Sequence, residues 1–139
     1  PRYNITIFIY NLDTFTEVER LTLSDLPQPL IVVGTPDNRF IAWGWNEDFT
    51  TTLWSIPDGE KLFTLNDVQL LDLAFSPSGE VIMTRTFNEI RLYHAQTGDM
   101  LHVLDGHTDT VFPIWSADGR YIISASNDST IRIWGVPID

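Results

Sequence analysis

LDGHTDTVFPIWSADGRYIISASNDSTIRIW, Leu104 to Trp134, reads as one complete structural unit with its own punctuation. A Gly-His pair opens it, and an apolar run leads to a Ser-Ala-Asp-Gly turn. A second apolar run leads to an Asn-Asp turn, and a last run ends in Trp134. Turn residues at this density bound short strands; they leave no room for a helix. Fainter copies of the unit lie upstream, so the chain is a repeat array.

Three markers carry the repetition. The turn at Ser116–Gly119 has counterparts at Ser76–Gly79 (SPSG) and Thr35–Asn38 (TPDN), with starts 40 and 41 residues apart. Aromatic residues end β-like runs at Tyr10, Trp54, Tyr93 and Trp134, spaced 44, 39 and 41. Asp13-Thr14, Asp58-Gly59 and Thr97-Gly98 follow the first three of these aromatics within five positions. One period near 40 runs through all three markers.

Each unit holds four strand candidates rich in Val, Ile, Thr and aromatics. They fall at 18–23, 29–34, 39–44 and 50–54 in the first unit, and at 61–65, 70–75, 80–85 and 89–93 in the second. The last unit has 100–104, 110–115, 120–125 and 130–134, and one extra strand, ITIFIY at 5–10, precedes them all. No window of a dozen residues holds a 3.6 period without a Pro, Gly or Asn-Asp break, which removes the helical alternative. In STIRIW, Ile131 and Ile133 point to one face while Thr130, Arg132 and Trp134 point to the other. LIVVG (30–34) and DLAF (72–75) are apolar on both faces, as expected of sheets covered on each side. Four-stranded sheets standing face to face with this period predict an all-β fold of β-propeller blades. Units at about 11–54, 55–93 and 94–134 plus strand 5–10 fill residues 1–139 as a partial array.

Composition narrows the function. The chain has 139 residues, 43% of them hydrophobic, and 19 acidic against 8 basic residues, a net charge of −11. A nucleic-acid binder normally shows a basic face, so that class is set aside. The absence of Cys removes a disulfide framework and thiolate zinc sites. No apolar run approaches the roughly 20 residues of a membrane-spanning helix, and nothing at the N-terminus resembles an export signal.

On these residues the chain resembles the WD-repeat family of β-propellers. The last unit carries the resemblance through Gly106-His107, the Ser-Ala-Asp-Gly turn, SASND ahead of TIRIW, and Trp134. The middle unit keeps SPSG and IRLY but has Asn66-Asp67 where Gly-His would stand; the first keeps Asp48 and Trp54. Trp134 is followed by Gly135, Trp54 by Ser55 and Tyr93 by His94, so the Trp-Asp dipeptide that names the family is absent. The resemblance implies a buried hydrogen-bonded chain of His107, Ser124 (or Ser126), Asp128 and Trp134. By the same alignment Asp48 and Trp54 serve the first unit, while Phe87 fills the Asp position of the second, which should lack the network. It also implies a non-catalytic scaffold that binds a protein or peptide on the top face and rim, with a cytoplasmic location favoured. Asn127, Asp109, Glu47 and Thr86 are the expected contacts, and the acids among them suit a basic partner.

Chemistry-bearing alternatives are weaker. His107, Ser124 and Asp128 make a superficial Ser-His-Asp set, but the repeat explains their spacing and no G-x-S-x-G elbow is present. His94, His102 and His107 are not paired at ligand spacing, and there is no phosphate-cradling glycine loop, so no metal or cofactor is expected. A sialidase-type propeller enzyme would separate Asp and Gly in its turn box by one residue, whereas Asp118-Gly119 is adjacent. A TolB-like periplasmic propeller shares the Ser-Pro-Asp-Gly type of turn but lacks Gly-His and the Trp strand end. Propellers have typically 4–8 blades, so three units leave the ring incomplete. Either further blades of a longer chain or a second copy of the same chain would cover the open faces.

Overall fold

The structure, a computed structural model, describes residues 2–26, 31–45, 49–56, 58–66, 68 and 72–135. Thirteen strands are present among them: β1 (Tyr3–Asn11), β2 (Thr16–Leu26), β3 (Ile31–Gly34), β4 (Phe40–Trp45), β5 (Thr50–Ser55), β6 (Lys61–Asn66), β7 (Leu73–Phe75), β8 (Val81–Arg85), β9 (Ile90–His94), β10 (Met100–Leu104), β11 (Val111–Trp115), β12 (Tyr121–Ser126) and β13 (Ile131–Gly135). All pairing is antiparallel between sequence neighbours, in a ribbon β1-β2, sheets β3-β4-β5-β6 and β7-β8-β9-β10, and a sheet β11-β12-β13. The architecture is all-β, with four-stranded antiparallel sheets resembling propeller blades and no closed ring. No helix among the described residues is long and apolar enough to cross a membrane.

The sheets do not coincide with the sequence units. The first strand of each unit joins the sheet before it: β6 closes the sheet of β3–β5, and β10 closes that of β7–β9. The unit starting at residue 94 therefore lends β10 away and keeps three strands, while β2 pairs with β1. A short turn after each aromatic strand end explains this, because a two-strand hairpin is the pairing nearest in sequence. The strand expected at 70–75 is described only as Leu73–Phe75; residues 69–71 lie outside the described residues.

The repeated turns are physically one turn. The hydroxyls of Thr35, Ser76 and Ser116 accept from the amide five residues on, at 3.1, 3.1 and 3.0 Å from Phe40, Val81 and Tyr121 N. The third residue after each hydroxyl, Asn38, Gly79 or Gly119, takes φ of 58, 74 or 71° and donates its N–H back to the carbonyl of Thr35, Ser76 or Ser116. Left-handed backbone favours Gly and Asn, so TPDN, SPSG and SADG satisfy one geometry. Arg39 ties two of these turns together, reaching Glu80 Oε1 at 2.8 Å and Ser78 O at 3.2 Å.

Apolar residues alternate along the strands and build three interfaces. Ile5, Ile7, Leu21 and Leu23 of the ribbon cover Ile41, Trp43 and Trp54. The other face of that sheet, Phe40, Ala42, Leu53 and Leu65, meets Leu73, Ile82 and Tyr93. Met83, Ile90 and Leu92 in turn meet Val111, Ile122 and Trp134. Leu53, Ile82, Ile90 and Ile122 are fully buried, each contributing about 1.5–3 kcal/mol of transfer free energy. The sheets stand in sequence order and hold one end of their turns together, which positions the site.

Candidate functional site

At that end the loop 105–110, between β10 and β11, lies against the turn 127–130 between β12 and β13. One backbone tie joins them, Asn127 N to Thr110 O at 3.1 Å; beside it Val111 N donates to Phe87 O at 3.0 Å, and Thr86 N closes its own turn on Glu89 O at 2.9 Å. The rest of the fastening is a buried side-chain chain. Trp134 Nε1 donates to Ser124 Oγ at 2.9 Å, Ser124 Oγ lies 2.8 Å from His107 Nε2, and His107 Nδ1 lies 2.8 Å from Asp128 Oδ2.

The donor roles follow from the indole, which can only donate. Ser124 accepts from Trp134 and donates its O–H to His107 Nε2. With Nδ1–H pointing at the carboxylate, every member of the chain has a partner. Asp128 also accepts from Thr108 N at 3.0 Å, Thr130 N at 2.9 Å and Thr130 Oγ1 at 2.5 Å. The Thr130 hydroxyl, ahead of the Thr108 amide and the His107 ring, holds the Asp128 carboxyl well below the usual carboxylate range, against a smaller opposing effect of burial.

The sequence left Ser124 and Ser126 open for the hydroxyl position, and the structure assigns it to Ser124. Ser126 Oγ instead donates to Asp109 O at 3.1 Å and accepts from Asp128 N at 3.1 Å. Trp54 corrects the expectation of a network in the first unit. Its Nε1 is buried with no acceptor among the described residues. Trp43 stands at the register position that Ser124 holds, opposite β5, and stacks on Trp54 with ring centroids 5.0 Å apart. An aromatic ring offers no hydroxyl, so the indole is packed there without a hydrogen bond. Asp48 and Glu47 lie outside the described residues.

In the middle sheet Thr84 takes the hydroxyl position, and its buried Oγ1 has no partner among the described residues. Phe87 is strongly exposed, and Asn88 beside it donates Nδ2 to His107 O at 3.2 Å. That turn therefore braces the neighbouring sheet, and its own Thr84 is left without a bond. Three contributors escaped the sequence reading. Thr130 was signalled only by its place two residues after Asp128. Arg132 donates to Gly106 O at 2.8 Å and lies over the Trp134 ring at 5.8 Å. Arg85 pairs with Asp72 at 2.7 Å and donates to Val111 O at 2.9 Å. A lone base ending the apolar run VIMTR was the available signal for Arg85.

The Ser124–His107–Asp128 distances match a catalytic set, but the surroundings do not. Ser124 is fully buried and His107 nearly so, and the serine oxygen already accepts from an indole. No substrate carbonyl can reach it. A cleft of about 230 Å³ lies elsewhere, lined by Asp72, Leu73, Met83, Arg85, Phe112 and Pro113. Asp118 is spent within its own turn, where the Ser116 hydroxyl and then the Arg120 N–H lower its pKa. No three His, Asp or Glu side chains cluster as metal ligands among the described residues.

Residues 98–135, the stretch that carries this network, match the family model described as WD domain, G-beta repeat. This is a WD-repeat chain. It is 32% identical over 80 residues to the intraflagellar transport protein 122 homolog of Xenopus tropicalis, covering 57% of this chain and 6% of that protein. It is 30% identical over 107 residues to DDB1- and CUL4-associated factor 13 of the same species, covering 71% of this chain and 24% of that one. The solved structure of U3-55K superposes with a TM-score of 0.62 at 25% identity, over 76% of this chain and 35% of that one. The WD-repeat chain thus spans a quarter or less of the length of these curated relatives.

Proposed function

We propose that this WD-repeat chain is a non-catalytic docking platform. Its contact surface would be the end of the sheets where loop 105–110 and turns 86–89 and 127–130 meet. The observation that carries the reading is the buried chain from Trp134 to Asp128, which fixes that loop and turn without using any exposed side chain. Asn127 and Asp109 are thereby presented on a rigid base, next to the Thr86 turn through the Val111–Phe87 bond. Asn127 is exposed and Asp109 and Thr86 are half-exposed, and the exposed Phe87 supplies an apolar anchor among them. A preorganised surface loses little freedom on binding, which favours affinity. The acidic balance of the chain favours a basic protein or peptide. The name of DDB1- and CUL4-associated factor 13, itself an association with two proteins, is in keeping with such a role.

The test titrates the chain with a panel of Lys/Arg-rich peptides bearing an aromatic or aliphatic residue, followed by calorimetry at about 0.15 M salt, where screening is physiological. Asp109→Lys combined with Asn127→Lys should weaken the best binder by about tenfold or more, equivalent to about 1.4 kcal/mol, with the melting profile unchanged. Equal binding by the double variant, or no binding across the panel, overturns the reading.

A further inference from the structure

The sheets β3–β6 and β7–β10 each hold four strands, and β6 and β10 are their outermost members, paired on one side only among the described residues. Along the other side of such a strand, alternate N–H and C=O groups face away from the sheet. The two edges compare position by position. Lys61 lies opposite Trp54 as Met100 lies opposite Tyr93, and Thr64 lies opposite Thr52 as Val103 lies opposite Arg91. A register shift falls at the same place in both strands, so it does not distinguish them. The side chains do. Lysine on an edge strand hinders pairing with another chain, and β6 carries one. The strand β10 reads Met-Leu-His-Val-Leu, with neither Lys nor Pro.

Met100, Leu101 and Val103 are 54%, 41% and 42% exposed. For Met100 and Val103 the neighbouring sheet is already in place. Directly opposed residues share a face, and Tyr93, opposite Met100, packs in the cluster between the first and middle sheets. Both side chains therefore stay uncovered beside a complete four-stranded neighbour. Charge marks the two ends of the strand. Asp99 and Asp105, both exposed, bracket it, and no Lys or Arg occurs between Arg91 and Arg120. The outer edge of the middle sheet is thus an apolar strand held between two carboxylates.

We propose that the outer edge of β10 takes up an extended segment of another protein as a fifth strand of the middle sheet, a β-forming run bounded at both ends by Lys or Arg. Main-chain hydrogen bonds supply the affinity, and the flanking charges set the register. A second copy of this chain is the poorer occupant. Antiparallel pairing of β10 with itself sets Asp99 of each copy against Asp105 of the other, and like charges directly opposite are destabilising. A segment with basic flanks makes the same two contacts favourable. This surface is distinct from that of Asn127 and Asp109, and neither depends on the other.

The probe is a capped peptide of alternating Val and Thr with Lys at each end, its central run matching the five residues of β10, about 17 Å of strand. Titrated against the 139-residue chain, it should slow amide exchange across residues 100–104 several-fold. Raising the salt from about 0.05 to about 0.5 M should weaken it, because the flanking charges are then screened. Met100→Lys combined with Val103→Thr gives β10 the residues of β6, and should weaken binding by about tenfold or more with the melting profile unchanged. Asp99→Lys combined with Asp105→Lys should lose this peptide and gain one flanked by Glu. If that pair does not fold, Asp105→Lys alone should shift the preference in the same direction. Asp109→Lys with Asn127→Lys should bind as the wild type does, which separates this edge from the loop surface. Five results overturn the proposal: no binding, protection confined to segments other than 100–104, full binding by the Met100/Val103 variant, no exchange of preference on charge reversal, or lost binding in the Asp109/Asn127 variant. A doubling of mass by the chain alone that the Met100/Val103 variant abolishes also overturns it, in favour of a second copy on the edge.

Discussion

Ser124 and Thr84 hold the same register position in adjacent sheets, carry the same functional group and are both fully buried, yet removing the two hydroxyls should act in opposite directions. Ser124→Ala deletes the acceptor of Trp134 Nε1 and the donor to His107 Nε2, which sit 2.9 and 2.8 Å away. Each buried polar group left unsatisfied costs about 1–3 kcal/mol, so the variant should lose roughly 2–4 kcal/mol in all. With a urea dependence of about 1–3 kcal/mol per molar, that lowers the unfolding midpoint by about 1–2 M. Thr84→Val keeps the side-chain shape and removes a hydroxyl with no partner among the described residues. Its expected effect is zero to about 1 kcal/mol of added stability, because a desolvated, unpaired group disappears. Urea unfolding followed by Trp fluorescence, at one fixed protein concentration to hold any association constant, measures both. Equal losses for the two variants, or an unmoved midpoint for Ser124→Ala, would refute the assignment of the chain from Trp134 to Asp128 as the fastening of this turn.

Three further outcomes are expected. Asp128 is held below its ordinary pKa, so its stabilising contribution is complete above the unfolded value of about 3.9 and is lost as pH falls through the lower folded value. In a pH series of urea midpoints, the gap between wild type and Asp128→Ala should be widest near neutrality and close in acid; a gap constant down to pH ~2 would contradict the linkage. Ile122→Ala, at a fully buried site between the middle and last sheets, should cost about 2–5 kcal/mol by calorimetric or denaturant unfolding. Arg85→Met keeps the packing over Phe112 but removes the bonds to Asp72 and Val111 O. It should cost about 1–3 kcal/mol and speed amide exchange at Val111, whereas exchange unchanged from wild type would deny Arg85 its bridging role.

What could be read from the sequence divides along a physical line. The turns were legible because their geometry is local: a hydroxyl and a left-handed residue three positions on need no knowledge of the rest of the chain. The strands were legible for the same reason, through alternation. Sheet membership was not, because β6 and β10 look like unit openings in a linear reading and become sheet closures only when hydrogen-bonded to β5 and β9. The His107 chain is what the resemblance implies, and the choice between its two hydroxyls depends on strand register. Ser124 faces the same side as Trp134, whereas Ser126 sits at the strand end beside Asp109.

Trp43 shows why the first sheet departs from the last. A residue at the Ser124 position must either offer the indole an acceptor or fill the space, and no linear pattern announces which. Trp43 fills the space, extending apolar contact to Ile5 and Ile7 of the ribbon at the cost of an unpaired Trp54 Nε1. The last sheet makes the opposite choice, and its loop 105–110 is the one drawn tightly onto a turn. Burial against a neighbour and polar fastening of a turn thus exclude each other at this position. The sheet that took polar fastening is the one that presents Asn127 and Asp109 on a fixed base.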